Sequence, residues 1–138
     1  MAGAKSAPSY EAMIAQAEAA VAALRDSYRA TLAADIVSLE EIFARLHSGA
    51  APEDVLKDIH TVAHNIKGQG GSFGYDLVTS IGASLCDYIR TGERRDERAL
   101  EIVRTHIKLL KLVSESDLFG DGGETGRRIV ERLRVLTA

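Results

Sequence analysis

Apolar residues recur every three or four positions along most of the chain, which is the spacing of an amphipathic α-helix. Four such stretches predict four core helices, and no stretch alternates between apolar and polar residues as a strand would. The apolar positions are, in chain order, Leu32, Ile36, Leu39, Phe43 and Leu46; Val55, Ile59, Val62 and Ile66; Leu77, Val78, Ile81, Leu85 and Tyr88; Leu100, Val103, Ile107 and Leu110. Since short connections join the stretches, the pattern predicts an all-α fold, an antiparallel four-helix bundle.

Residues that begin or end helices stand at the predicted boundaries. Ser48-Gly49 ends the first core helix, and Pro52 suits the first turn of the second. The glycine-rich run 68–74 closes the second helix and supplies a turn. Thr91-Gly92 stops the third helix, and Asp96 is a good N-cap for the fourth.

Two further segments flank the predicted bundle. An alanine-rich helix that starts at Pro8 and Ser9 is expected to cap the bundle as an N-terminal accessory helix; alternatively, it continues into the first core helix and pairs with another chain. A C-terminal accessory helix is predicted from Ile129, Val130, Leu133 and Leu136. The predicted divisions are 1–25 (a frayed tail over 1–8 and the accessory helix), 26–114 (the bundle) and 115–138 (a polar, glycine-rich linker over 115–124 and the last helix).

Composition narrows the class of protein. The chain has 138 residues with 17 basic and 20 acidic side chains, and its net charge of -3 argues against a nucleic-acid-binding module. A single cysteine, Cys86, excludes an internal disulfide and a four-cysteine zinc site. No apolar run has the length of a membrane span or the pattern of a signal peptide. We therefore expect a cytoplasmic protein that binds neither membranes nor nucleic acid.

The most informative segment surrounds His64. At about 100° per residue, the positions within roughly 60° of His64 on a helical wheel are His60, Lys67, Gly68 and Gly71. The apolar positions lie on the opposite side, so His64 is predicted to face solvent. A glycine in an exposed helix costs about 1 kcal/mol relative to alanine, and helices keep one where something approaches the backbone closely. An exposed imidazole beside the Lys67 ammonium is suited to nucleophilic attack on a phosphoryl group.

The run His64-Asn65-Ile66-Lys67-Gly68, followed by Gly71-Ser72-Phe73-Gly74, resembles the signature of histidine phosphotransfer (HPt) domains of two-component phosphorelays. The phosphorylated domain of chemotaxis kinases has a similar signature, and the resemblance covers roughly residues 26–114. It implies that His64 accepts a phosphoryl group from a receiver-domain aspartate, or from a kinase, and passes it to a response regulator. Lys67 would stabilise the phosphate, and Gly68 and Gly71 would leave room for it. The family needs no ATP and no bound metal of its own, since the receiver domain brings Mg²⁺.

We further predict that His60, Asn65, Cys86 and Arg90 contribute to partner docking. Several HPt members place a glutamine on the third helix, facing the histidine. Cys86 stands at that position here, and a thiol cannot hold the imidazole or phosphate as an amide does. Arg90 would supply a second positive contact or dock the partner. The expected partners of this monomer are receiver domains of response regulators and sensor or hybrid histidine kinases.

Two other functions remain open from the sequence. The same bundle could bind a receiver or a kinase without carrying phosphate. His60 and His64, four residues apart, could instead chelate a metal on one helix face, although no zincin-type glutamate lies between them and no third ligand is obvious. The two remaining histidines are interpreted as a helix-end residue, His47, and a helix-flank residue, His106.

Overall fold

The computed structural model describes Ala7 and residues 9–138, and in this part of the chain there are five α-helices and no strand. The helices are α1 (Tyr10–Ala44), α2 (Pro52–Gly70), α3 (Asp76–Thr91), α4 (Glu97–Glu115) and α5 (Gly123–Leu136). Short 3₁₀ turns, Arg45–Ser48 and Gly71–Phe73, follow α1 and α2. The all-α class predicted from the periodicity is confirmed.

One hydrophobic core lies between the first four helices. α1 packs against α2 and α4, α3 packs against the same two helices, and α5 lies against α3 and α4. Each of the first four helices contributes residues with 0% of their surface exposed: Leu39, Ile59, Ile81, Leu85 and Leu110. All five belong to the apolar stripes recognised in the sequence. Burial of these stripes is the main source of stability, because the hydrophobic effect is the dominant favourable term in folding.

The N-terminal accessory helix that the sequence suggested is not a separate element. α1 is continuous over 35 residues, from an N-cap at Ser9 whose hydroxyl accepts a hydrogen bond from the Ala12 N–H. No glycine or proline interrupts it, and alanine has the highest helix propensity, so nothing ends the helix before the core begins. Residues 10–24 are all exposed and therefore do not cap the bundle. Pro8 and the predicted tail, apart from Ala7, lie outside the described residues.

The segment between α4 and α5 is hydrogen-bonded to the turn between α2 and α3. The Gly120 N–H donates to the Gly74 carbonyl (2.7 Å), and the Leu77 N–H donates to the Gly120 carbonyl (2.9 Å). The buried Tyr75 hydroxyl donates to the Asp117 carboxylate at 2.8 Å. Burial, together with this hydrogen bond, raises the pKa of Tyr75 to about 12. The predicted linker thus holds the turn that follows α2.

His106, interpreted from the sequence as a helix-flank residue, is fully buried. Its Nδ1 lies 2.8 Å from the Ile102 carbonyl oxygen and its Nε2 lies 2.8 Å from the Ser84 hydroxyl. Since a carbonyl only accepts, Nδ1 carries the proton and Nε2 accepts from Ser84. Burial lowers the pKa of His106. The prediction of a helix-flank residue was wrong. His106 lies four residues after Ile102 and four before Leu110, so it is on the buried stripe of α4 in spite of its polar side chain.

Candidate functional site

The α2 helix buries one face and exposes the other, and His64 stands on the exposed face. Ile59, Ala63 and Ile66 are buried against the core, whereas His64 is exposed, as the helical wheel predicted. His60, one turn earlier, is half-buried. The two imidazole rings lie nearly parallel, with 6.3 Å between centroids and 12° between planes. The His64 ring is therefore open to a partner from the solvent side.

The residues that follow His64 leave the helix surface bare. Asn65, Lys67 and Gly68 are all exposed. A methyl group added at Gly68 would meet no other atom within 4 Å outside its own helix backbone and chain neighbours. Lys67 stands three residues after His64, so the two side chains are neighbours on the helix surface. The fold itself does not require a glycine at position 68, and the space above it remains open.

Gly71 has a different environment from Gly68. It begins the 3₁₀ turn after α2 and so lies beyond the regular wheel used in the sequence argument. It is exposed, and an added methyl group would lie 3.6 Å from Thr79 Oγ1 and 3.8 Å from Asp76 Oδ1, which is ordinary van der Waals contact. Its backbone N–H donates to the Thr79 hydroxyl at 2.7 Å. The clearance predicted at both glycines is therefore wide at Gly68 and narrower at Gly71.

Three residues that sequence reasoning missed hold this end of α2 in place. Thr79 on α3 donates its hydroxyl proton to the Lys67 carbonyl at 3.0 Å. Gly70 and Gly82 are buried where α2 and α3 meet. The buried glycines carried a signal, because small residues on inward positions of two consecutive helices permit a close approach. No signal in the sequence pointed to Thr79, since a threonine hydroxyl on a helix usually forms a hydrogen bond within its own helix.

A family model described as the Hpt domain matches residues 9–115. The chain belongs to the Hpt domain family. Searches of curated proteins and of solved structures gave no match. Hpt domains are phosphocarrier modules of two-component signalling that interact with receiver domains and kinases, and they are not catalytic enzymes in general. The match includes the exposed first turns of α1, which lie before the range of 26–114 suggested by the motif.

Cys86 cannot dock a partner of this Hpt domain, contrary to the sequence prediction. Its side chain is buried at 3% exposure, and its Sγ lies 4.0 Å from the carbonyl oxygen of His60. Burial raises the pKa of the thiol, and the Lys67 ammonium opposes that shift in part. A thiol is shorter than a glutamine side chain and apolar enough to stay between α2 and α3. Cys86 is therefore a packing residue beneath the Hpt site.

Arg90 is exposed one turn beyond Cys86, as a docking residue must be. Its guanidinium donates to the Asp87 carboxylate at 2.8 Å, three residues earlier on the same helix. Both side chains are more than half exposed, so the pair contributes little to stability. A partner carboxylate would have to compete with Asp87 for this arginine.

Nowhere in Ala7 and residues 9–138 do three or more His, Cys, Asp or Glu side chains converge as metal ligands would. Within the same part of the chain, no helix combines the length and the apolar character needed to cross a membrane.

Proposed function

We propose that His64 of this Hpt domain accepts a phosphoryl group from a receiver-domain aspartate, or from a kinase, and passes it to a response regulator. The observation that carries the proposal is the open space over Gly68 beside the exposed His64. A receiver holds its aspartyl phosphate in a pocket, so the histidine must project into that pocket while its own helix stays clear. The antiparallel bundle of α1 to α4 would supply the rigid support for such a projection.

The chemistry needs a nucleophile and a cation. The lone pair of a neutral imidazole nitrogen forms the N–P bond while the P–O bond to the aspartate breaks, and the carboxylate leaves with that electron pair. The reaction reverses with the next receiver. The Lys67 ammonium is placed to stabilise negative charge on the transferring group, which is an electrostatic contribution made in the transition state. We propose that Mg²⁺ comes with the receiver and that this chain contributes no metal of its own.

Docking is proposed to use the exposed face around His64. Asn65 and the half-buried His60 flank the histidine on α2, and Arg90 lies on the neighbouring α3. Since Gly68 lies next to the reacting centre, the receiver backbone can approach α2 closely there. This combination of exposed imidazole, adjacent cation and bare backbone favours a phosphocarrier over a module that binds partners without carrying phosphate.

The experiment is transfer from a receiver domain carrying radioactive aspartyl phosphate. We expect label on this chain that is labile to acid and stable to base, and that a second, unlabelled receiver removes. His64→Gln should abolish labelling, and His47→Gln, at the exposed turn after α1, should not change it. Label that persists in His64→Gln would refute the assignment. Receiver binding without label on the unmodified chain would support the interaction-module alternative.

A further inference from the structure

At the C-terminal end of α2, a hydroxyl group from α3 takes part in the hydrogen bonding of the helix backbone. In a regular α-helix the Gly71 N–H would donate to the Lys67 carbonyl, four residues earlier. Here the Gly71 N–H donates to Thr79 Oγ1 at 2.7 Å, and the Thr79 hydroxyl donates to the Lys67 carbonyl at 3.0 Å. The Thr79 hydroxyl therefore bridges the Gly71 N–H and the Lys67 carbonyl, and the backbone acceptor of the same N–H is the Gln69 carbonyl instead of that of Lys67.

α3 also contacts the other peptide group of Lys67. A methyl group added at Gly82 would lie 3.1 Å from the Lys67 nitrogen and 3.3 Å from its Cα, so a larger residue would push the two backbones slightly apart. Gly70 has the same role toward Thr79, because a methyl group there would lie 2.6 Å from Thr79 Oγ1. The backbone of Lys67 is thus held on both sides by α3, while its side chain is exposed.

We propose that Thr79 is a positioning residue for phosphoryl transfer, acting through the backbone of Lys67. The inference rests on the proposed function of His64 and Lys67. A charge that stabilises a transition state is effective only where it is held in place before the reaction. Thr79 is half-buried beneath the face that a receiver would contact, so it sets the location of the cation without forming part of the docking surface.

A merely structural hydroxyl would behave differently from a positioning residue. If Thr79 only satisfied two backbone groups, its loss would lower stability and leave the transfer rate of the folded protein unchanged. If it positions Lys67, its loss should lower the rate at saturating receiver and leave the apparent KM for the receiver unchanged. A misplacement of ~1 Å can cost ~100-fold in rate, and we expect a partial displacement to cost about tenfold.

The experiment compares Thr79→Val, Thr79→Ser and Thr105→Val in transfer from a labelled receiver. Valine removes the hydroxyl and keeps the shape, whereas serine keeps the hydroxyl. Thr105, on α4, is the matched control because its hydroxyl also donates to a helix carbonyl, that of Glu101 at 2.9 Å. We expect Thr79→Val to reduce kcat, the transfer rate at saturating receiver, about tenfold. Thr79→Ser and Thr105→Val should keep the kcat of the unmodified chain. Amide exchange at Gly71, measured by NMR without phosphate, should accelerate about fivefold in Thr79→Val only.

The outcomes separate this inference from the proposed function. If the unmodified chain is not labelled at His64, the proposed function fails, and the Gly71 exchange still reports whether Thr79 holds the end of α2. If the unmodified chain transfers and a folded Thr79→Val keeps its kcat, or changes only its KM, the positioning inference is overturned. If Thr79→Val does not fold, Gly82→Ala takes its place, since it displaces the Lys67 backbone from the other side. An unchanged kcat in folded Gly82→Ala would then overturn it.

Discussion

Replacing Gly68 by alanine should make the protein more stable and less active. Gly68 lies within α2, is exposed and has no other atom within 4 Å of the position of a Cβ. The added methyl group therefore causes no clash, and alanine loses less conformational entropy than glycine on entering a helix. The expected gain is about 0.5–1 kcal/mol in the free energy of unfolding. For a domain of this size that corresponds to a rise of about 2–4 °C in Tm.

The same methyl group stands where we propose that the receiver approaches α2. Transfer from a phosphorylated receiver should therefore slow, by about tenfold or more, since small displacements of a reacting centre are costly. Gly70→Ala is the matched control, two residues further along the helix. Its methyl group would lie 2.6 Å from Thr79 Oγ1 and 3.1 Å from both the Thr79 nitrogen and the Tyr75 oxygen, so it should lower stability, by about 1–3 kcal/mol.

Thermal unfolding and transfer kinetics on the two variants test this reasoning together. A lower Tm for Gly68→Ala would mean that the fold needs the glycine, contrary to the open space above it. A higher Tm with an unchanged transfer rate would mean that nothing approaches the backbone at this position. Only opposite changes in stability and transfer rate agree with a glycine kept for a partner.

Three further predictions concern Lys67, the buried His106 and the hydrogen bond between Tyr75 and Asp117. Lys67→Ala should slow transfer about tenfold or more with no loss of Tm, because its side chain is exposed and its loss removes only a charge near the phosphate. Since burial lowers the pKa of His106, the unfolded chain takes up a proton first as the pH falls below 6.5. This group should then lower the free energy of unfolding by at most about 1.4 kcal/mol per pH unit. Urea titrations at several pH values should show this pH dependence in the unmodified chain and not in His106→Gln. Tyr75→Phe should cost about 1 kcal/mol, because the hydrogen bond to the half-exposed Asp117 is lost, as measured by the same titrations.

The helices could be predicted because their signals are local. Periodic apolar residues mark the buried faces, and Pro52, Asp96 and Gly49 act through the geometry of a single turn. The exposed face of α2 followed in the same way, since a helix that buries Ile59 must direct His64 outward. These features need no knowledge of the rest of the fold.

The errors arose where the outcome depended on another part of the chain. The separate N-terminal accessory helix is an exception, because the signal was local: no glycine or proline ends the alanine-rich helix before the core begins. Cys86 was predicted to contribute to docking because its position was compared with that of a longer glutamine side chain, whereas the thiol is buried between α2 and α3. Thr79 could not be assigned a role, because its partners are Lys67 on α2 and Gly71 in the turn that follows α2. The sequence of neither segment indicates how closely α2 and α3 approach each other.

The glycines of the run 68–74 after His64 have different structural environments and must be interpreted one by one. Gly74 has φ +85, a conformation that favours glycine and forms the turn. Gly70 is required by the contact between α2 and α3, and it would be needed in a protein with no partner at all. Gly68 and Gly71 have neither a packing nor a conformational reason to be glycine, and of these two only Gly68 lies on the exposed face of α2, about one turn from the histidine. We therefore expect the approach of a receiver to depend most on Gly68, whereas Gly70 and Gly74 are required by the fold that holds this end of α2 in place.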